Sequence, residues 1–416
     1  MNRRVIFHID VNSAYLSWEA VYRLQHGASV DLRTIPSVVG GDEKSRHGIV
    51  LAKSIPAKAY NIQTGEALYA VRQRCPNLTV VPPRYDLYMQ CSSALIRLLE
   101  EYSPRIQIFS VDECFLDFTN MEKHWGTPVE TAHKIRDRVR QELGFTINIG
   151  ISSNKLLAKM GGDFEKPDKV HTLFPEEIPQ KMWPLPVSEL YMVGRATVPK
   201  LHQMGIYTIR DLAKADPEYL KHKLKSFGQL IWNYANGIEE SPVGIGGHVN
   251  IKGIGNSTTI AFDVEDRKIA HMILLSLVET VATRLRHSKF CAQLVSVSIK
   301  TSEFSSYSHQ RKLYTPTDCT MSIYETACML FDEAWKGEKI RHLGIRVSEL
   351  CSNDFVQLSL LEKDWEKQSS LDKTLDDIRI KYGSKSIIRS CFLHSGLKPL
   401  SGGVMEEDYQ MMTSIL

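Results

Sequence analysis

Two apolar runs that end in carboxylates limit the possible fold more than any other feature of this sequence. The first run, residues 5–11, reaches Asp10 and passes into a helical pattern, which predicts a strand, a tight turn and a helix. Residues 106–111 and 114–118 read as a β-hairpin whose turn carries Asp112 and Glu113. The sequence therefore predicts an α+β domain whose strands converge on acids.

The segments between these acids complete the same domain. Residues 35–40 and 48–53 are β-branched strand candidates on either side of a polar, glycine-bearing turn. A strand at 145–151 precedes Ser-Ser-Asn at 152–154, which predicts the N-cap of a following helix. Further helices are predicted over 87–102 and 129–143.

The convergent acids favour a metal site. Clustered carboxylates repel one another and are costly unless cations neutralise them. Mg²⁺ takes oxygen ligands from one or two carboxylates together with substrate phosphates, and two such ions can support phosphoryl transfer. The alternative is that Asp10, Asp112 and Glu113 are ordinary surface acids at turns, and spacing alone does not decide between these interpretations.

Composition bounds the protein class. A chain of 416 residues is long enough for two to four domains, and its net charge of +3 is weak evidence for a nucleic-acid partner. No stretch approaches the roughly 18 apolar residues of a membrane span, and the N-terminus does not resemble a signal peptide. The eight cysteines show no metal-ligand spacing, so we expect a reduced, cytoplasmic protein.

Further domains follow the acid-bearing one. Residues 174–240 are predicted to be all helical, and the Gly-, Ser- and Pro-rich segment 241–256 reads as a linker. Residues 257–350 alternate strand, helix, strand, helix, strand. The tail, 351–416, contains an apolar stretch, a charged helix near 362–381 and a Gly-rich end.

Three strings identify a family resemblance. They are His-Ile-Asp-Val-Asn-Ser-Ala-Tyr at 8–15, Ser-Val-Asp-Glu-Cys-Phe-Leu-Asp at 110–117, and Gly-Ile-Ser-Ser-Asn-Lys-Leu-Leu-Ala-Lys at 150–159 with Lys-Pro beyond it. In this order they resemble the conserved blocks of bacterial Y-family translesion DNA polymerases. The resemblance implies an α+β, multidomain right-hand fold. Its expected parts are a palm (1–20 and 82–173), small fingers (21–81), a helical thumb (174–240), a linker (241–256), a little finger (248–350) and a tail (351–416).

The resemblance also implies a catalytic centre. Asp10 and Asp112 would be metal ligands, assisted by the Val11 carbonyl, and Glu113 would complete the site near the primer terminus. The implied cofactor is a pair of Mg²⁺ ions, with Mn²⁺ able to substitute.

Nucleotide contacts follow from the same motifs. Tyr15 corresponds to the aromatic steric gate under the sugar, with Ala14 beside it, and Lys166 to the lysine that holds the triphosphate. Where many members have Tyr-x-Ala-Arg, this chain has Ile55 and Lys58, and a lysine cannot make arginine's bidentate contact with a phosphate. This departure resembles the UmuC-type branch more than the polymerase IV branch. The alternatives are a core tyrosine and a solvated surface lysine.

Two regions suggest DNA contacts. Residues 190–201 resemble a helix–hairpin–helix, a motif whose backbone N–H groups grip a phosphate near Gly194 and Arg195. Met192 replaces the usual first glycine, and a plain helical core contact is the alternative. Lys252 begins a string that resembles the entry to the little finger. Arg284, Arg286 and Lys289 could supply further phosphate contacts, and the alternative for each of them is a solvated surface charge.

A short leucine-rich peptide falls after the last domain. Gln-Leu-Ser-Leu-Leu at 357–361 resembles the bacterial sliding-clamp binding motif, in which a glutamine and apolar side chains fill a groove on the clamp. The anchors would be Gln357, Leu358, Leu360 and Leu361. The alternative is a strand that packs on the body of the protein.

These observations predict a template-directed DNA polymerase that performs error-prone translesion synthesis during DNA repair and the SOS response. Its partners would be primer–template DNA, damaged DNA included, deoxynucleoside triphosphates and the sliding clamp. A non-catalytic DNA-binding relative on the same fold is the first alternative, and a palm-fold nucleotide cyclase is the second. The cyclase would not need a thumb, a DNA-gripping domain or a clamp motif.

Overall fold

The computed structural model describes residues 3–244, 251–353 and 365–400. They group into two compact units, one built mainly from residues up to 244 and the other mainly from residues beyond 250. No helix among the described residues is both long and apolar enough to cross a membrane.

The first unit contains eight strands and twelve helices within residues 3–244. The strands are β1 (Ile6–Val11), β2 (Ser37–Gly40), β3 (Val50–Lys53), β4 (Thr79–Val81), β5 (Ile106–Ile108), β6 (Glu113–Asp117), β7 (Ile147–Ser152) and β8 (Val170–Thr172). The helices are α1 (Ala14–Gln25), α2 (Ile55–Lys58), α3 (Leu68–Arg74), α4 (Tyr85–Glu100), α5 (Glu122–Trp125), α6 (Pro128–Arg138), α7 (Lys155–Gly162), α8 (Ile178–Lys181), α9 (Val198–Gln203), α10 (Ile209–Lys214), α11 (Pro217–Leu224) and α12 (Ser226–Ala235).

A five-stranded sheet in the order β5-β6-β1-β7-β8 forms the palm. The central strand β1 is antiparallel to both β6 and β7, and all six of its residues are buried. This burial on both faces explains why the strand is a nearly continuous apolar run rather than an alternating one. The hairpin strand β5 ends at Ile108, so the turn that carries Asp112 is longer than the sequence predicted.

Helix α7 packs directly on β7 because one residue of the strand has no side chain. A methyl group at Gly150 would overlap the backbone of Ala158 and Gly162 in the helix, so glycine is required for this approach. The predicted N-cap is confirmed, since the Asn154 side chain accepts a hydrogen bond from the Leu157 N–H at 2.8 Å. Strand, turn and helix therefore hold α7 at a fixed distance from the palm sheet.

The fingers and thumb complete the first unit. A separate sheet in the order β3-β2-β4 forms the fingers around a small core of its own. The thumb helices α8–α12 share one hydrophobic core with α7 and with Phe115 of the palm. The prediction of an all-helical segment at 174–240 is confirmed.

The second unit has one more strand than the sequence predicted. It contains β9 (Gly253–Val264), α13 (Arg267–His287), β10 (Phe290–Thr301), β11 (Ser306–Thr317), α14 (Thr320–Ala334), β12 (Ile340–Ser352) and α15 (Trp365–Tyr382). The sheet order is β11-β10-β12-β9, and every pairing is antiparallel. The predicted alternation of strands and helices did not include β11. The predicted linker, 241–256, overlaps the first strand, because β9 begins at Gly253.

Helix α15 packs on α13 through charged side chains. Arg286 lies 2.6 Å from Asp376 and 3.3 Å from Asp372, and all three side chains are 7% exposed. Farther along the pair, Arg379 lies 3.0 Å from the buried Glu279. Arg286 is therefore a structural residue, and both predictions for it, a phosphate contact and a solvated charge, are wrong.

Candidate active site

The three predicted acids lie at one end of two neighbouring strands. In the register of β1 and β6, Asp10 is directly opposite Glu113, so both side chains emerge on the same face of the sheet. The N–H of Val11 donates a hydrogen bond to the Asp112 carbonyl at 3.0 Å, which holds the hairpin turn against the end of β1. Strand pairing thus brings together acids that are far apart in sequence.

Lysine side chains contact two of these carboxylates. The Lys166 ammonium contacts Asp10 Oδ2 and lies 2.8 Å from Asp163 Oδ1. The Lys159 ammonium lies 2.6 Å from Glu113 Oε2. Both lysines belong to the segment that begins with α7. The close contact of α7 with Gly150 sets the position of this helix, and therefore also the position of the two ion pairs.

Burial and mutual repulsion perturb the carboxylates. Burial raises the pKa of Asp10, and Lys166 opposes this shift. Burial also raises the pKa of Asp112, against a 2.6 Å hydrogen bond from the Ser110 hydroxyl, and the charges of Asp10 and Glu113 raise it further. For Glu113, burial also acts to raise the pKa, but the hydrogen bonds and charges of His8 and Lys159 outweigh it and lower the pKa to about 2.

A pocket of about 150 Å³ opens beside Asp10. Its basic lining residues are Arg33, Lys58 and Lys166. The guanidinium of Arg33 already donates to Asp31 and to the Gly144 carbonyl, whereas Lys58 is exposed at the end of α2. The structure therefore brings the two predicted phosphate-binding lysines, Lys58 and Lys166, to one pocket with Asp10, a predicted catalytic acid.

Tyr15 stands on a cluster of aromatic side chains and is partly exposed. Its ring is stacked on Tyr88 with centroids 4.4 Å apart and makes an edge contact with Tyr85 at 6.2 Å. Burial, followed by the charge of Asp112, raises the pKa of Tyr15 to about 12, so the phenol stays neutral. The side chain of Ala14 is buried in the palm core, which leaves only its backbone for a nucleotide contact.

The predicted helix–hairpin–helix is a turn followed by α9. Met192 has a φ of 75°, a left-handed conformation that explains the glycine usual at this position. Gly194 and Arg195 are exposed in the turn, and the Gly194 carbonyl accepts from the Thr197 N–H at 2.8 Å.

Among the described residues, no helix packs on one face of the second unit's sheet. Helices α13 and α14 pack on the face formed by Val295, Ile345 and their neighbours. The opposite face carries small, polar and basic residues in register, among them Ser296, Ser298, Lys300, His342, Arg346, Ser308 and Gln310. Lys252 is exposed just before β9. This surface suits contact with a polyanion.

Family models match the chain in order. The impB/mucB/samB family model matches residues 9–163, the IMS family HHH motif matches 175–206, and the impB/mucB/samB family C-terminal domain matches 251–360. A DNA polymerase IV of Clostridium acetobutylicum is 50% identical and covers 94% of this chain and 98% of its own. The chain belongs to this family, the Y-family DNA polymerases.

Other relatives give the same result. A DNA polymerase IV of Acetivibrio thermocellus is 36% identical over 94% of this chain and 98% of its own. DNA polymerase IV 2 of Bacillus subtilis is 36% identical over 94% of this chain and 95% of its own. These relatives do not support the UmuC-type branch that Ile55 and Lys58 suggested. As a member of the Y-family, the protein is a DNA-directed DNA polymerase of the translesion class.

Solved structures confirm the fold. A Y-family polymerase chimera of Dbh and Dpo4 superimposes with a TM-score of 0.73 at 21% identity, over 84% of this chain and all of the chimera. A Dbh ternary complex gives a TM-score of 0.56 at 20% identity, over 83% and 98% of the two chains. The right-hand architecture expected from the Y-family motifs is therefore confirmed.

Y-family polymerases depend on divalent metal ions, and the donor set here fits one. Asp10, Asp112 and Glu113 offer carboxylate oxygens, the ligands that hard divalent cations prefer. The charge of Glu113 raises the pKa of Asp10, and the charges of Asp10 and Glu113 both raise the pKa of Asp112. Within the described residues, no three acidic, histidine or cysteine side chains are already arranged around a common point as metal ligands.

Sequence reasoning missed some residues of this Y-family site. His8 and Lys159 lie inside the quoted motifs but were given no role, although a lysine within the apolar run Leu-Leu-Ala-Lys-Met at 156–160 is a usable signal, because lysine is rarely buried without a partner. Tyr88 could not be identified from the sequence as a residue of this site, because its stack with Tyr15 is a contact between two separate helices, α4 and α1. The clamp motif at 357–361 lies outside the described residues.

Proposed function

We propose that this polymerase inserts nucleotides opposite damaged template bases with two Mg²⁺ ions held by Asp10, Asp112, Glu113 and the Val11 carbonyl. Mn²⁺ would substitute for Mg²⁺. The observation that carries the proposal is the strand register that sets Asp10 opposite Glu113, beside a pocket lined by lysines. Bound ions would supply activation of the 3′-hydroxyl and stabilisation of the leaving pyrophosphate.

The protein's own side chains bind and orient the nucleotide. Lys166 and Lys58 line the pocket next to Asp10, and we assign them to the triphosphate. Lys58 makes single-point contacts, since an ammonium lacks the planar fork of arginine. Tyr15, supported by its aromatic stack, would exclude a 2′-hydroxyl by overlap, and the Ala14 backbone would lie beside the sugar.

DNA would be held through its phosphates. Gly194 and Arg195 lie in an exposed turn that suits a backbone-mediated phosphate contact. In the second unit, Lys252 and the helix-free sheet face, with Lys300 and Arg346, would follow the duplex backbone. Contacts of this kind are independent of sequence, which a polymerase requires.

We assign Gln357, Leu358, Leu360 and Leu361 to the bacterial sliding clamp, on the strength of the motif alone. The bacterial relatives support a cytoplasmic enzyme of the SOS response.

Primer extension on an undamaged and an abasic template tests the proposal. Wild-type protein with Mg²⁺ is expected to extend both primers, and Asp112→Asn to extend neither while it still binds DNA. Loss of an electrostatic stabiliser typically costs a factor of about 10²–10³ in kcat. The non-catalytic alternative predicts DNA binding without extension by either protein, and that result would overturn the proposal.

A further inference from the structure

Lys159 is a buried lysine with a specific set of partners. It lies in α7, is 9% exposed, and its ammonium is 2.6 Å from Glu113 Oε2. The rings of Phe109, from the palm, and Tyr191, from the thumb, lie 5.1 and 5.6 Å from the same ammonium. A buried ammonium is costly unless it is paired, so this arrangement calls for a role.

Both partners of Glu113 use the same carboxylate oxygen. His8 is 1% exposed, and its Nε2 lies 3.4 Å from Oε2, the oxygen that Lys159 contacts. Within the described residues, Oε1 of Glu113 makes no hydrogen bond or ion pair. The carboxylate is thus anchored through one oxygen and open at the other.

We propose that Lys159 is a positioning residue that fixes Oε2 of Glu113 and so keeps Oε1 as the oxygen available to the reacting centre. The inference rests on the proposed function of Glu113. The choice of lysine fits this role, because an ammonium contacts one oxygen, whereas a guanidinium pairs with both oxygens of a carboxylate. The aromatic rings shield the ammonium from water and hold it by cation–π attraction.

The thumb takes part in this arrangement. Tyr191 lies at the start of the helix–hairpin–helix segment, and its N–H donates to the sulfur of Met160, the neighbour of Lys159 in α7. The segment that would grip DNA therefore contacts the lysine that fixes the catalytic carboxylate.

The test compares Lys159→Met with Lys155→Met in the full-length chain. Lys155 lies one turn earlier in α7 and is 2% exposed, but its ammonium contacts the Gln107 amide at 3.2 Å rather than a carboxylate. In single-turnover insertion, Lys159→Met should lower the maximal rate by about a hundredfold, the scale of a misplaced catalytic group. The Kd for nucleotide and for DNA should change little, and Lys155→Met should insert at nearly the wild-type rate. Equal rates for the two variants would overturn the proposal.

A double variant tests whether Lys159 acts through Glu113. Glu113→Gln with Lys159→Met should be no slower than Glu113→Gln alone, because the two residues form one unit. Additive losses would contradict the positioning role. Lys159→Arg should stay slow despite its charge, and wild-type rates in that variant would show that an open Oε1 is not required.

A binding measurement separates positioning from structural damage. Mn²⁺ titration of the DNA-free protein, followed by electron paramagnetic resonance, should show unchanged or tighter binding in Lys159→Met, since removal of a cation leaves the site more negative. Weaker binding with a lowered melting temperature would assign Lys159 to folding. If wild-type protein does not extend primers at all, the proposed function fails. If wild-type protein extends primers and the Lys159 variants insert nucleotides at the same rate, only the positioning role of Lys159 fails.

Discussion

The ring of Tyr15 lies on the ring of Tyr88 at 4.4 Å between centroids and 11° between planes. Tyr88 is 1% exposed, and its hydroxyl donates to Glu19 at 3.3 Å. Arg84 holds the same carboxylate through two hydrogen bonds. The proposed sugar gate is therefore supported from below by a ring whose own position is fixed.

Tyr15→Ala is expected to admit ribonucleotides. Removal of the ring opens the space that a 2′-hydroxyl would occupy, and the relative kcat/KM for ribonucleotides should rise by one or more powers of ten, each equal to about 1.4 kcal/mol. Tyr15→Phe keeps the ring and should keep the selectivity. Matched single-nucleotide insertions measure both. If Tyr15 is only a core residue, the alanine variant should instead lose about 3–5 kcal/mol of stability and fail with both substrates.

The helix-free sheet face is expected to set part of the salt dependence of DNA binding. Arg346→Ala and Lys300→Ala should each reduce the slope of log K against log salt by about 1, the contribution of one phosphate contact. Lys268→Ala, on the helical side of the same unit in α13, is the control. Fluorescence anisotropy at several salt concentrations gives the slopes, and three identical slopes would exclude this face from DNA binding.

Alanine at Gln357, Leu360 and Leu361 is expected to abolish clamp binding. A few apolar anchors carry most of the affinity of such short peptides, while extension of short primers without a clamp should not change. The measurement is a titration of wild-type and variant protein with purified bacterial clamp. Equal affinities would assign the pentapeptide to packing on the body of the protein.

Arg286→Met is expected to destabilise the second unit. The substitution leaves Asp372 and Asp376 buried without a counter-charge, which typically costs about 3–5 kcal/mol. Arg284→Met is the control, since Arg284 makes no ion pair in the described part of the chain. Melting curves of the two full-length variants give the comparison, and equal melting temperatures would show that α15 is held by other contacts.

The sequence indicated the candidate catalytic acids because they follow apolar runs, and strand pairing did bring Asp10 to Glu113. Strand β11 was missed because Ser-Tyr-Ser-His-Gln-Arg-Lys has no apolar alternation; it is an edge strand with mostly exposed side chains. Arg286 was misassigned because its partners lie far along the chain in α15. Local patterns thus predicted most elements of the palm, though not β8, whereas side-chain contacts between separate helices, such as that of Arg286 with α15, were not predictable.

The contact at Gly150 makes two ion pairs depend on one backbone fit. The atoms that face this glycine are main-chain atoms of α7, and these, unlike a side chain, cannot turn aside. A larger residue at this position would displace the helix as a body, together with Lys159 and the segment that leads to Lys166. The ammonium groups of Lys159 and Lys166, and the ion pairs that they form with Glu113 and Asp10, would therefore move together. A change at position 150 would be felt at both carboxylates at once, although it touches neither.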